Sequence, residues 1–148
     1  MREGRNAPEV LLVEDNPTDV ELTLRALKKL DLADNVRVAR DGVEALDFIF
    51  ARGAFSERNI EDRPRVIFLD LKLPRVDGLE VLRLVKSDDR TKCIPVVILT
   101  SSKLERDRVE SYVLGVNSYI VKPVDFDKFV GAIREVGMYW LKLNEPPI

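Results

Sequence analysis

At 148 residues the chain suits one domain with one sizeable core, and 45% hydrophobic with 34% charged residues is an ordinary balance for a soluble globular protein. Lysine and arginine number 24 against 26 acids, for a net charge of -2, so there is no basic surplus for nucleic acid or a membrane surface. Histidine is absent, which removes Ser-His-Asp and Cys-His catalysis and most zinc sites and leaves carboxylates, hydroxyls, lysine and a hard cation to do any chemistry.

The opening residues 1–8 are polar and form no signal peptide. Val10, Leu11, Leu12 and Val13 form a continuous apolar run, as expected of a strand buried on both faces. The run ends in Glu14 and Asp15. Asn16 and Pro17 then read as a helix cap followed by a first-turn proline, with Val20, Leu24, Leu27 and Leu30 as the apolar stripe. Val36 to Ala39 alternates like a strand nearer a sheet edge. Asp41 to Glu44 has the form of a capping box and opens a second helix to about Phe50.

Gly53 to Pro64 is polar and is expected to be a long surface loop. Arg65 to Leu69 is the third strand and delivers Asp70 at its end. A loop with Pro74 and an Asp77-Gly78 turn signal leads to a helix faced by Leu79, Leu82 and Val85. Cys93, the one cysteine, reads as a small semi-buried residue before the fourth strand. It excludes an internal disulfide and fits the reducing cytoplasm. Pro95 to Leu99 is that strand, ending in Thr100. Ser102 to Glu105 reads as a second capping box, with Val109, Tyr112 and Val113 lining the helix behind it. Asn117 to Val121 is the fifth strand, ending in Lys122 and Pro123. Asp125 caps a last helix with Phe126, Phe129, Val130, Ile133, Val136 and Trp140 on one face. The chain is expected to be a single domain over 1–148, flexible at 1–8 and 144–148.

Five strands alternating with five helices predict an α/β fold, a doubly wound parallel sheet in the order 2-1-3-4-5 with helices on both faces. Ligands bind such sheets beyond the carboxyl ends of the strands. Read together, those ends carry Glu14, Asp15, Asp70, Thr100 and Lys122. One acid after a strand is usually a helix cap or a turn residue. All of these groups at matching ends are hard to assign to capping. Carboxylate pairs at about 4 Å repel by roughly 4 kcal/mol at an effective dielectric near 20, more than one lysine can offset. A hard divalent cation with oxygen ligands completes the balance, and Mg²⁺ suits carboxylates that also meet phosphate. The expected reaction is phosphoryl transfer to the Asp70 carboxylate, with Lys122 and Thr100 meeting phosphoryl oxygens.

Glu14-Asp15, Asp70 to Pro74 with Asp77-Gly78, Thr100, and Tyr119 three residues before Lys122-Pro123 resemble the response-regulator receiver family over Val10 to about Leu141. The resemblance implies that Asp70 takes its phosphoryl group from a sensor histidine kinase or phosphotransfer protein. It implies that Glu14, Asp15, Asp70 and the backbone carbonyl of Lys72 hold Mg²⁺. It further implies that Thr100 and Tyr119 form a switch pair moving the surface of the fourth helix, fifth strand and fifth helix, and that Lys122-Pro123 is a cis peptide. Such a protein catalyses only its own phosphorylation and dephosphorylation. One departure from the family pattern is Ser101, where alanine is frequent. Lys72 and Ser102 stand where the family varies and tunes phosphoryl lifetime.

The long insert before the third strand and the aromatic end of the last helix, Met138 to Leu141, resemble the single-domain regulators paired with bacterial phytochromes. Surplus apolar residues on that helix predict a homodimer through it. Two rival readings fit less well. A haloacid-dehalogenase-like phosphatase needs an acid where Lys72 stands, and a flavodoxin-like cofactor site needs a phosphate loop where Glu14 and Asp15 stand.

Overall fold

The computed structural model describes residues 8–32 and 34–147, so the predicted flexible ends lie partly outside the described residues. Strands β1 (Val10–Val13), β2 (Val36–Ala39), β3 (Val66–Leu69), β4 (Val96–Thr100) and β5 (Ser118–Val121) alternate with helices α1 (Pro17–Lys29), α2 (Gly42–Ile49), α3 (Gly78–Ser87), α4 (Glu105–Val113) and α5 (Phe126–Gly137). The strands form one parallel sheet in the order β2-β1-β3-β4-β5, the doubly wound arrangement expected from the alternation.

The reason lies in the apolar runs. Every residue of β1, β3 and β4 is buried, because helices cover both faces of the central strands. Edge strands β2 and β5 are only partly covered. On one face Leu11, Val13, Ile67, Leu69 and Ile98 pack with Ala45, Leu46, Val81 and Leu82 of α2 and α3. On the other, Val10, Leu12, Val66 and Phe68 pack with Val20 and Leu27 of α1 and with Phe129 and Ile133 of α5. Burying a side chain such as Phe68, 1% exposed in the central strand, contributes about 1.5–3 kcal/mol.

Side-chain caps set four helix starts. Asn16 Oδ1 accepts from the amides of Thr18 and Asp19, at 2.9 and 3.2 Å. Asp41, Asp77 and Asp125 accept from Glu44, Glu80 and Lys128 in the same way.

Helix α4 departs from expectation. It begins at Glu105 with Leu104 as an N-cap that makes no side-chain bond, so Ser102 to Glu105 forms no capping box. Ser102 Oγ instead donates to Asp107 Oδ2 at 2.6 Å and accepts from the Leu104 amide at 3.3 Å. Val109, Tyr112 and Val113 are exposed, and Ser111 is the helix's buried residue.

The 53–64 segment is a surface loop, as expected, but an anchored one. It contains a 3₁₀ turn (Gly53–Phe55), and Phe55 meets Phe48 edge-on at 5.2 Å. The Arg58 guanidinium lies 3.8 Å from the Phe48 ring centre and donates to the carbonyls of Phe48 and Asp62. At the chain's end α5 passes into a π-helical turn (Met138–Leu143). The predicted tail is tied at its start, where the Asn144 carbonyl accepts from Arg65 Nη2 at 3.0 Å. Cys93 is exposed rather than semi-buried.

Candidate functional site

Strand register assembles the site. Val13 pairs with Leu69, so Glu14 and Asp70 leave the sheet side by side. Thr100 pairs with Val121, so Lys122 emerges one residue beyond it, its amide donating to the Thr100 carbonyl at 2.8 Å. Carboxylate oxygens of Glu14, Asp15 and Asp70 lie within 4.8 Å of one another. Glu14 and Asp70 are buried, at 3% and 8% exposure, while Asp15 faces solvent.

Lys122 Nζ donates to three carboxylates: Glu14 Oε1 at 2.5 Å, Asp19 Oδ2 at 2.8 Å and Asp70 Oδ2 at 3.3 Å. Burial disfavours its ammonium, but hydrogen bonds to Asp19 and Glu14 and the charge of Asp70 outweigh burial, so its pKa is raised. Burial pushes the Glu14 carboxyl up to about 7; the Lys122 hydrogen bond opposes this and the Asp70 charge adds to it. The pocket therefore holds more negative charge than one ammonium balances. Its donors are all hard carboxylate oxygens, open to solvent on the Asp15 side. That set fits a divalent cation that prefers oxygen.

Asp19 was not selected by sequence reasoning. An acid in the first turn of a helix is expected on dipole grounds alone. Its place in the crevice follows from α1 starting directly above the end of β1.

The remaining predicted residues lie around this centre. The Lys72 amide approaches Asp70 Oδ1 at 3.4 Å, so the chain after β3 curls over the carboxylate. Thr100 is fully buried, and its hydroxyl accepts from the Ser102 amide at 3.3 Å. The Tyr119 hydroxyl donates to the Ser102 carbonyl at 3.2 Å, which links the residues proposed as a switch pair through Ser102. The Lys122-Pro123 peptide is trans, against the cis bond implied by resemblance. Trans is the lower-energy form before proline by about 0.5–1 kcal/mol.

Among the described residues no helix is long and apolar enough to cross a membrane. The response regulator receiver domain family matches residues 10–134. The response regulator Rcp1 of Synechocystis is 36% identical over 96% of this chain and 95% of its own length. The crystal structure of its Mn²⁺-bound form superposes with a TM-score of 0.86 at 34% identity, covering 95% of this chain and 100% of that one. The bacteriophytochrome response regulator RtBRR is 54% identical, with a TM-score of 0.76 over 95% of this chain and 84% of that one. The phosphorylated cyanobacterial phytochrome response regulator RcpA is 37% identical, with a TM-score of 0.88 over 96% of this chain and 99% of that one. A divalent ion bound to one relative and a phosphorylated form of another agree with the chemistry of the pocket. By family match, identity and fold, this chain belongs to the response regulator receiver domain family and is similar to the phytochrome response regulators within it.

Proposed function

We propose that the protein is a single-domain response regulator that accepts a phosphoryl group on Asp70 from a sensor histidine kinase, of phytochrome type, in the cytoplasm. The observation that carries this reading is the Asp70 carboxylate, set within 4.8 Å of Glu14 and Asp15 and 3.3 Å from the Lys122 ammonium. An Asp70 oxygen attacks phosphorus, and the bond from phosphorus to the donor's imidazole nitrogen breaks. The electron pair stays on that nitrogen. Glu14, Asp15 and Asp70, with the Lys72 carbonyl, would hold Mg²⁺, which would supply charge neutralisation for the phosphoryl oxygens. Lys122 turns one N–H from Asp70 to a phosphoryl oxygen. Thr100 turns its hydroxyl to another and leaves the Ser102 amide.

Freed from Thr100, Ser102 shifts together with its partners Asp107 and Tyr119. The signal thus reaches the surface of α4, β5 and α5 as a change in which of two arrangements is populated. The protein works on itself and turns over no separate substrate.

The reading is tested with acetyl phosphate and Mg²⁺, followed by intact mass. One added phosphoryl group is expected in the natural protein and none in Asp70→Asn. Equal uptake by both would remove Asp70 as the acceptor.

The apolar residues Phe126, Met138, Tyr139 and Leu143, each at least 40% exposed, support a homodimer through α5 and its π-helical turn. Sedimentation at rising concentration, with and without acetyl phosphate, is expected to show it. A monomer throughout would exclude it.

A further inference from the structure

The structure assigns Asp19 as a positioning residue for Lys122, an inference that rests on the phosphoacceptor reading of Asp70. An ammonium has three N–H donors, and here each has a carboxylate partner. The contact to Asp70 is the longest of the three, at 3.3 Å against 2.5 Å to Glu14 and 2.8 Å to Asp19. Lys122 is thus tethered at two corners and loosely engaged at the third, the one facing the nucleophile.

That asymmetry suits the reaction. When a phosphoryl group arrives, only the N–H on Asp70 has to change partner. The other two keep the ammonium at a fixed distance from phosphorus. Without Asp19, one N–H is released, and the nearest remaining carboxylate that is not already engaged closely is Asp70. The ammonium then drops onto the nucleophile, ties up its attacking oxygen and leaves the position from which it meets the phosphoryl oxygens.

Asp19 is itself held firmly, as a tether must be. Its amide donates to the Asn16 cap at 3.2 Å and its carbonyl accepts from the Thr23 hydroxyl at 2.8 Å, with Thr23 buried. Its place in the first turn of α1 puts the carboxylate beside the positive end of the helix dipole. The Lys122 backbone is fixed as well, its amide N–H donating a hydrogen bond to the Thr100 carbonyl.

The test compares Asp19→Ala and Asp19→Asn with the natural protein, using acetyl phosphate as donor and Mg²⁺ at saturation. Asp19→Ala is expected to lower the maximal rate of phosphoryl uptake about tenfold or more, in keeping with the cost of misplacing a catalytic group. Half-saturation by acetyl phosphate is expected to stay unchanged. The apparent affinity for Mg²⁺, measured by calorimetry, is expected to stay within about threefold, because salt screens a partly exposed charge beside the metal ligands. Asp19→Asn keeps an acceptor for the N–H and is expected to recover most of the rate. In the metal-free protein the Lys122 ammonium protons, followed by nitrogen-15 NMR, are expected to exchange with water faster in Asp19→Ala than in the other two.

A natural rate in Asp19→Ala would overturn the assignment. So would an equal loss in the alanine and asparagine variants, which would point to charge rather than tethering. A loss carried by donor half-saturation, or by a lowered melting temperature, would also overturn it. If the natural protein itself takes up no phosphoryl group, the reading of Asp70 falls first. Uptake by the natural protein with an unimpaired Asp19→Ala removes only the role of Asp19.

Discussion

Lys122→Ala is expected to lower the melting temperature of the metal-free protein by about 6–12 °C. Glu14, Asp19 and Asp70 share one cation, and Glu14 and Asp70 are almost closed to water. Removing one partner of a buried ion pair costs about 3–5 kcal/mol, because the abandoned charge must be desolvated or protonated. A loss near the lower end follows here, since the raised pKa of Glu14 already eases protonation. For a chain of this size each kcal/mol moves the midpoint by roughly 2–4 °C. Thermal melts in a chelator, followed by circular dichroism, check this, and superimposable curves for the two proteins would refute it.

Mg²⁺ is expected to return part of the lost stability, as it binds the folded acids and not the unfolded chain. The recovery has a definite pH dependence. Glu14 has a folded pKa raised from 4.5 to about 7, with burial as the largest cause, so folding favours its protonated form. That contribution is complete below the ordinary value and is lost as pH rises through about 7. A metal ion must displace the same proton. Mg²⁺ affinity in the natural protein is therefore expected to rise with pH up to about 7 and then level.

The second large effect is expected from Gly78→Ala. Gly78 is the first residue of α3, and its amide donates to the Leu71 carbonyl at 2.8 Å. A Cβ there would lie 2.2 Å from the Asp70 carbonyl oxygen and 2.6 Å from Leu71 Cα. Both obstacles are backbone, so neither can rotate away. The methyl group must push α3 off the chain that carries Asp70, the proposed acceptor. Overpacking of this kind costs about 1–3 kcal/mol. A displacement of about 1 Å at the acceptor is enough to slow transfer roughly a hundredfold. Gly131→Ala is the matched control, since nothing lies within 4 Å of its Cβ, and in a helix it is expected to stabilise by about 0.5–1 kcal/mol. Uptake from acetyl phosphate separates the two, and a natural rate in Gly78→Ala would show that the backbone beneath Asp70 yields freely.

Much of this architecture was legible because the signals were local. Val10 to Val13 and Val66 to Leu69 are uninterrupted apolar runs, which in an alternating chain mean central parallel strands. Asn16-Pro17 and Asp41 announce helix starts through side chains that accept their own backbone amides. Once the strand order is assumed, the residues after each strand fall at one end, and four acids and bases of the pocket can be named without coordinates.

What stayed hidden depends on distance and on context. Asp19 looks like a dipole-complementing acid until the fifth strand brings Lys122 to within 2.8 Å of it. Val109, Tyr112 and Val113 have the spacing of a buried stripe, and only the packing reveals that α4 turns them outward. Ser102 to Glu105 has the letters of a capping box, but Asp107 captures the hydroxyl that would have made it. The 53–64 segment is polar on average, and its anchors, Phe55 and Arg58, find partners on α2 that no local pattern specifies.

The shallow seating of α4 has a mechanical meaning. A helix that sinks only one serine into the body can slide or tilt while the sheet beneath keeps its shape. On the proposed reading, the work needed to relocate it is small beside the energy of phosphorylating Asp70. If the proposed signal leaves through this loosely moored rod rather than through the rigid interior, one part of the molecule stays taut for chemistry while another stays compliant for communication.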